Sequence, residues 1–292
     1  MRRIAILLAA VVSMSTPIRA QEPGKTALQA QEQALAEAHA RLALSFGSGM
    51  VQAGGRKLPF RFMPPEAVDA GRKYPLLIYL HGSGERGTDN KQQMGAHVLN
   101  LAQPAWRERY PAFVFVPQCP PDSWWGIPYR KIVEYTMKPH TAPALFEPPA
   151  APERPGPLEM MLGWVAQAGQ RYPIDRDRIY IVGFSMGGMG VYRALEMQPD
   201  LFAAAIPIAG NGDPAKASLY YRTPIRIFHG EQDRNVYPAA ARRMDVALRA
   251  AGGHPKLSLF PDMGHDPARA MSDEGTWDWL FAQKKRRSVV FR

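Results

Sequence analysis

A serine with a glycine two residues before it and another two residues after it ends an apolar run in the middle of the chain. Residues 178–188 read Arg-Ile-Tyr-Ile-Val-Gly-Phe-Ser-Met-Gly-Gly, a β-branched stretch followed by sequence that is compatible with a helix. In such a G-x-S-x-G turn, Gly183 and Gly187 lack Cβ atoms and let a strand and a helix close around Ser185. The pattern predicts that the Ser185 hydroxyl stands exposed as a nucleophile. A helix N-cap serine after a glycine turn is the structural alternative.

A nucleophilic serine needs a base that takes its proton and an acid that orients that base. Two further apolar runs, residues 224–229 and 256–260, are followed within a few residues by Asp233 and His265. Ser185, Asp233 and His265 therefore each follow a predicted strand. In a parallel sheet the loops after the strands gather at one edge, so the three side chains can meet there. The pattern predicts a catalytic triad of these three residues.

Other histidines occur around this pattern. His254 precedes its predicted strand and is expected at the opposite edge of the sheet. His81 and His229 lie at strand ends ahead of Asp233, and both are expected to be hydrogen-bonded histidines that pack near the site.

Two other carboxylates are alternatives to Asp233. Asp266 is the immediate neighbour of His265, and Glu231 lies two residues before Asp233. In an extended segment the Asp266 side chain would point away from its neighbour, which favours Asp233 as the acid.

Acyl transfer also needs amide donors that stabilise an oxyanion. The residue after the nucleophile, Met186, opens the predicted helix, where amides point outward. A glycine-containing loop, residues 81–87, follows the apolar run at 74–80, and the Ser83 amide is the second expected donor. A phosphate-cradling loop is disfavoured because no Gly-Lys-Ser/Thr follows.

Together these motifs resemble the α/β-hydrolase superfamily. The resemblance covers about residues 55–283 and is carried by residues 81–87, by Pro117-Gln118-Cys119-Pro120 with Trp124-Trp125, and by residues 183–188, 229–233 and 264–266. More narrowly, the chain is similar to secreted bacterial carboxylesterases related to polyhydroxybutyrate depolymerases and feruloyl esterases, including predicted-peptidase-like esterases. The resemblance implies a serine hydrolase that cleaves an ester through an acyl-enzyme intermediate. A serine peptidase of the same fold and a non-catalytic binding protein are the alternatives.

The remaining pattern agrees with an α/β-hydrolase fold. The chain has 292 residues, of which 46% are hydrophobic, enough for one sizeable α/β core. Apolar runs at 112–117 and 203–209 predict further strands, and helical spacing occurs at 157–172, 188–198 and 238–251. Because strands and helices alternate, the central sheet is expected to be mostly parallel and flanked by helices.

The first residues are typical of a signal peptide. Arg2-Arg3 precede the apolar stretch from Ile4 to Val12, and a small-residue cleavage site ends at Ala20. We expect cleavage after Ala20 and export to the periplasm or the medium, without a stable membrane anchor, because the apolar stretch is too short to span a bilayer.

Two regions depart from a minimal hydrolase domain, which is expected to span residues 55–283. The preceding segment, 21–54, predicts a helix at 25–45 and then a glycine-rich link at 47–55. Residues 128–157 carry eight prolines and predict an irregular insertion over the active-site edge, either a cap or a variable surface loop. The preceding pair Trp124-Trp125 is expected to bind substrate as a pocket wall, or else to anchor this loop.

Charge and cysteine content limit the classes of partner and the covalent links that the chain can have. The net charge is +10, but three arginines of the signal segment and five cations of the basic tail at 284–292 account for eight charges and leave +2 for the rest. Such a balance does not indicate a nucleic-acid partner. The single cysteine, Cys119, excludes an internal disulfide. No metal-ligand cluster or dinucleotide fingerprint is visible, so no cofactor is expected, and the expected partner is a small-molecule or polymer-linked ester substrate.

Overall fold

The computed structural model describes residues 25–126 and 155–285. The predicted signal peptide and nearly all of the proline-rich insertion, together with tail residues 286–292, lie outside the described residues. By its contacts the chain divides into two units, Met1–Ala38 and His39–Arg292. Helix α1 (Lys25–Ala43) supplies the described part of the first unit. In the described ranges, no helix has the length and apolar character to cross a membrane.

An eight-stranded sheet forms the centre of the second unit. Its strands in chain order are β1 (Gly47–Ala53), β2 (Arg56–Met63), β3 (Tyr74–Leu80), β4 (Phe113–Pro117), β5 (Ile174–Phe184), β6 (Ala204–Ile208), β7 (Arg226–Gly230) and β8 (Lys256–Phe260). The spatial order is β1-β2-β4-β3-β5-β6-β7-β8. The first two pairings, β1 with β2 and β2 with β4, are antiparallel, and all others are parallel. The predicted mostly parallel sheet is confirmed.

The inner strands are covered on both faces. All seven residues of β3 are buried, as expected for a parallel strand with helices on both sides. Because successive side chains point to opposite faces, Leu76 and Ile78 join one core, whereas Leu77 and Tyr79 join the other.

Helices cover each core with one apolar face. On the first face lie α4 (Pro157–Arg171), α5 (Met186–Met197), α6 (Ala217–Tyr220) and α7 (Ala239–Ala250), and on the second lie α2 (Ala96–Leu99), α3 (Pro104–Arg109), α8 (Ala268–Ser272) and α9 (Glu274–Phe281). In α4 the buried residues Leu158, Met161, Leu162 and Val165 follow the helical i, i+3, i+4, i+7 spacing. Pro157 occupies its first turn, where a missing N–H costs no hydrogen bond.

The prediction of a glycine-rich link at 47–55 is wrong. Residues Gly47–Ala53 form β1, which pairs along its whole length with β2. The segment lies at the sheet edge and is mostly exposed, so its Gly-Ser-Gly composition lacks the apolar alternation that marks a strand. Pairing with β2 satisfies its backbone instead, and the sheet therefore begins before residue 55.

Candidate active site

A strained turn presents Ser185 at the carboxyl end of β5. Ser185 has φ 55° and ψ −116°, a left-handed conformation that a non-glycine residue rarely adopts, and α5 begins at the next residue. The Ser185 amide donates to the Ile208 carbonyl oxygen at 2.9 Å. A Cβ on Gly183 would collide with the Gly187 backbone, and one on Gly187 with the Leu80 carbonyl. Close packing of these glycines holds the strained serine in place.

The structure brings Ser185, His265 and Asp233 into one hydrogen-bonded line. His265 Nε2 lies 2.8 Å from Ser185 Oγ, and His265 Nδ1 lies 2.7 Å from Asp233 Oδ2. Asp233 follows β7 and His265 follows β8, so both loops leave the same edge of the sheet as Ser185. The Asp233 side chain is fully buried, and that of His265 is 16% exposed.

Hydrogen bonds keep Asp233 ionised in this buried position. Its Oδ1 atom accepts from the amides of Asn235 and Val236 at 2.8 and 2.9 Å. Burial would raise the pKa of Asp233, but hydrogen bonds from His229, His265 and the Val236 amide together hold that pKa well below its usual range. A carboxylate that stays charged can fix the Nδ1–H tautomer of His265 and stabilise its cation.

The alternative residues lie elsewhere. Asp266 is exposed, and its carboxylate accepts from the Ala268 amide at 2.7 Å at the start of α8. Glu231 forms an ion pair with Arg242 at 2.5 Å. His254 is exposed in the connection that precedes β8.

The loop after β3 passes beside the serine. A Cβ placed on Gly82 would lie 3.6 Å from the Ser185 Cβ, and residues Ser83–Glu85 form one 3-10 turn. Met186 opens α5, where the first N–H groups have no acceptor within the helix. The expected oxyanion-hole donors, the amides of Ser83 and Met186, thus come from elements next to Ser185, and their role stays a prediction.

A buried histidine, His81, forms hydrogen bonds that hold this loop in place. His81 Nε2 accepts from the Cys119 amide at 2.9 Å, so its Nδ1 carries the proton and donates to the Gly82 carbonyl oxygen at 2.6 Å. Burial lowers the pKa of His81 to about 4, so the ring is neutral at pH 7. The expectation of a hydrogen-bonded histidine near the site describes His81 well.

The two predicted substrate-binding tryptophans have different positions. Trp124 is half-buried and lines the cleft at Ser185, where it packs against Met189 and Val236. Trp125 is 1% exposed, and its Nε1 donates to the His81 carbonyl oxygen at 3.0 Å. The prediction that Trp125 binds substrate is therefore wrong. The two adjacent side chains point in different directions, and Trp125 packs behind the loop that follows β3.

The cleft over Ser185 and His265 has a volume of about 580 Å³. Its walls carry aromatic, apolar and charged groups, namely Glu85, Trp124, Phe184, Met189, Arg234, Asn235, Val236 and Tyr237. Partial burial raises the pKa of Glu85 in this wall. Within residues 25–126 and 155–285, no group of three or more His, Cys, Asp or Glu side chains is placed to hold a metal ion.

His229 is the site residue that sequence reasoning missed as a partner of the acid. Its Nε2 lies 2.7 Å from the Val236 carbonyl oxygen and 3.2 Å from Asp233 Oδ2. The four-residue spacing in His-Gly-Glu-Gln-Asp, at the end of a strand, was the signal that could have indicated this contact.

Comparisons with known proteins find similarity to a hydrolase family and to esterases. Residues 158–277 match the model of the Dienelactone hydrolase family. Esterase YpfH of Escherichia coli is 27% identical over 108 residues, which are 37% of this chain and 45% of that protein. The crystal structure of a thermostable esterase superposes with a TM-score of 0.72 at 33% identity, covering 84% of this chain and 64% of that one.

A peptidase shares the fold at lower similarity. The acylaminoacyl peptidase of Pyrococcus horikoshii has a TM-score of 0.59 at 16% identity, with 85% of this chain and 43% of that chain covered. This likeness shows the fold alone. In each of these three relatives, the matched region is less than two thirds of the relative's own length.

Proposed function

We propose that the chain is a serine esterase of the α/β-hydrolase superfamily, which cleaves carboxylic esters by two-step acyl transfer. The observation that carries the proposal is the hydrogen-bonded line from Ser185 Oγ through His265 to Asp233, on a strained turn at the floor of a cleft. A nucleophile, a base and an orienting acid in contact are the parts that this chemistry needs.

In the first step Ser185 Oγ attacks the acyl carbon and passes its proton to His265 Nε2. The carbonyl π bond becomes an oxyanion, which the amides of Ser83 and Met186 stabilise. His265 then gives the proton to the ester oxygen, the bond from the acyl carbon to that oxygen breaks, and the alcohol leaves. The acyl group remains bonded to Ser185.

In the second step water replaces the alcohol. His265 takes a proton from water, and the resulting hydroxyl attacks the acyl-enzyme carbon. Collapse of the second oxyanion breaks the bond to Ser185 Oγ, and His265 returns the proton to that oxygen. Throughout, the Asp233 carboxylate accepts the His265 Nδ1–H and stabilises the imidazolium that forms twice per turnover.

Ester cleavage is favoured over peptide cleavage on chemical grounds. An alkoxide leaves with modest proton help, whereas an amide nitrogen must be protonated after the substrate has been clamped and twisted. Such clamping needs extensive backbone binding, and the cleft of about 580 Å³ suits a small or medium ester. The solved relative with 33% identity is an esterase, whereas the peptidase is 16% identical. A serine peptidase is the alternative function.

Two finer points belong to the same proposal. Trp124 offers an aromatic wall to the acyl or alcohol group, which favours an aromatic or sugar-linked ester. The signal-peptide pattern of residues 1–20 favours action outside the cytoplasm.

A substrate panel tests the proposal. Specificity constants would be compared for p-nitrophenyl acetate and butyrate, methyl ferulate, acetylated sugars and matched peptide anilides, with the Ser185→Ala variant as the blank. We expect at least one ester to exceed every peptide anilide. A peptide anilide preferred over all esters would establish the peptidase instead, and no hydrolysis above the blank would favour a binding protein.

A further inference from the structure

We propose that His229 is a positioning residue for the reaction, which holds the Asp233 carboxylate, and through it His265, in the reactive arrangement. This inference rests on the proposed esterase function and deepens it. His229 contacts neither Ser185 nor the cleft, so it can act on the reaction only through Asp233 or through the Val236 carbonyl, which its Nε2 also contacts.

The hydrogen bonds of His229 determine where its proton lies. A carbonyl oxygen can only accept, so the 2.7 Å contact with the Val236 oxygen requires a proton on His229 Nε2. The same N–H also faces Asp233 Oδ2 at 3.2 Å, as a shared donor. His229 Nδ1 is buried and has no hydrogen-bond partner among the described residues. The contacts therefore place a proton on Nε2, the atom that faces Asp233.

His229 ties the acid to the sheet. Two of the donors to Asp233, the amides of Asn235 and Val236, belong to the same short loop as the carboxylate and would move with it. His229 lies on β7, whose neighbours β6 and β8 fix it on both sides. Its ring therefore supplies a reference point outside the loop. With His265 as the fourth donor, both Asp233 oxygens are fully occupied.

A purely structural role makes a different prediction. If His229 only anchored the loop through the Val236 carbonyl, its loss would displace the cleft wall formed by Val236 and Tyr237 and would weaken substrate binding. If it positions Asp233, its loss would slow the chemical steps and leave binding unchanged. The two roles therefore separate into an effect on KM and an effect on kcat.

A matched pair of amide variants separates them. In His229→Gln the side-chain N–H reaches about as far as the histidine Nε2, whereas in His229→Asn it stops one bond short. We expect His229→Asn to lower kcat about ten- to a hundredfold with KM within about twofold, and His229→Gln to stay within about threefold of the wild type. His254→Asn, at an exposed histidine, is the control and should leave both constants unchanged.

A double-mutant cycle tests whether the effect passes through the acid. In an Asp233→Asn background, adding His229→Asn should lower kcat by less than about threefold, because the interaction is already lost. The proposal would be overturned by an unchanged kcat in folded His229→Asn, by a raised KM with normal kcat, by equal losses in the Gln and Asn variants, or by additive losses in the cycle.

A second measurement needs no variant. Nitrogen-15 NMR of histidine-labelled wild-type enzyme reports the tautomer of each ring, and we expect His229 to carry its proton on Nε2. A proton on Nδ1 with Nε2 bare would overturn the proposal, even if His229→Asn fails to fold. Serine-dependent hydrolysis by the wild type, measured against Ser185→Ala, separates these outcomes from failure of the proposed esterase function.

Discussion

Ser185, His265 and Asp233 are joined by hydrogen bonds of 2.8 and 2.7 Å, and the acid among them is fully buried. The cleft wall above them, formed by Trp124, Arg234 and Tyr237, is held differently. Arg234 and Tyr237 are exposed, and Arg234 forms no hydrogen bond or ion pair with any residue that the structure describes. Trp124 is only half-buried.

This difference separates two tasks. The hydrogen-bonded line is attached to the ends of sheet strands, so changes there should remove the chemistry without changing what binds. The side chains of Arg234 and Tyr237 in the cleft wall are exposed, so changes there should alter the choice of substrate and leave the chemistry intact. The residues beneath the site, His81 and Trp125, belong to neither group and should chiefly affect stability.

Loss of the base should have the largest effect on the hydrogen-bonded line. His265→Ala is expected to lower kcat by about five to six orders of magnitude, close to the effect of losing Ser185, since the two act as a unit. His254→Ala should leave kcat within about threefold, because His254 lies at the far end of β8. Steady-state ester hydrolysis with both purified variants checks this, and the reverse ranking would show that the base is misassigned.

Loss of the Asp233 carboxylate should have the second largest effect on kcat. Asp233→Asn is expected to lower kcat about ten-thousandfold, because the amide no longer fixes the His265 tautomer or stabilises its cation. Asp266→Asn is the matched control, since Asp266 only accepts from the Ala268 amide at an exposed helix start. If Asp266→Asn reproduced the ten-thousandfold loss and Asp233→Asn did not, Asp266 would be the acid.

The two tryptophans should separate stability from selectivity. Trp125→Ala is expected to cost about 3 to 5 kcal/mol of unfolding free energy, because it empties buried space next to His81. Trp124→Ala should change KM for aromatic esters by about three- to tenfold and leave stability within about 1 kcal/mol. Urea unfolding and ester kinetics on both variants check this, and equal losses of stability would contradict different positions for the two rings.

The last expected effect is a pH dependence of stability from His81. Its pKa falls from 6.5 to about 4 on folding, so between these values the unfolded chain holds a proton that the native ring does not. The free energy of unfolding is therefore unaffected by the titration of His81 above pH 6.5. It decreases as the pH falls from 6.5 toward 4, by at most about 1.4 kcal/mol per pH unit. His81→Asn should give a flatter dependence in urea unfolding, whereas identical slopes would mean that His81 titrates normally.

Sequence patterns predicted which three side chains meet at the candidate site, because their positions follow from strand ends. Ser185, Asp233 and His265 each combine a suitable side chain with a place just after an apolar run, and parallel strands bring such places together. The helix bounds at 157–172 and 238–251 are within two residues of α4 and α7 for the same reason, since the apolar spacing marks them.

The remaining features depend on long-range contacts. The edge strand β1 has a glycine-rich composition and is stabilised by its pairing with β2, which no local pattern shows. Trp124 and Trp125 have the same side chain, and Trp125 is the ring that packs in the core and donates to the His81 carbonyl oxygen, which no local pattern shows. The contact between His229 and Asp233 depends on the turn between them, in which the Asp233 amide donates to the Gly230 carbonyl oxygen at 3.2 Å.

Covalent labelling of Ser185 tests the central claim most directly. The purified enzyme would be treated with a fluorophosphonate, which reacts with an activated serine, and the adduct would be located by peptide mass mapping. We predict one adduct, on Ser185, in parallel with complete loss of ester hydrolysis. Ser185→Ala should take up no label and should hydrolyse esters at the background rate, with an unchanged circular dichroism spectrum. An adduct on another serine, or near-normal turnover by folded Ser185→Ala, would contradict the assignment of Ser185 as the nucleophile.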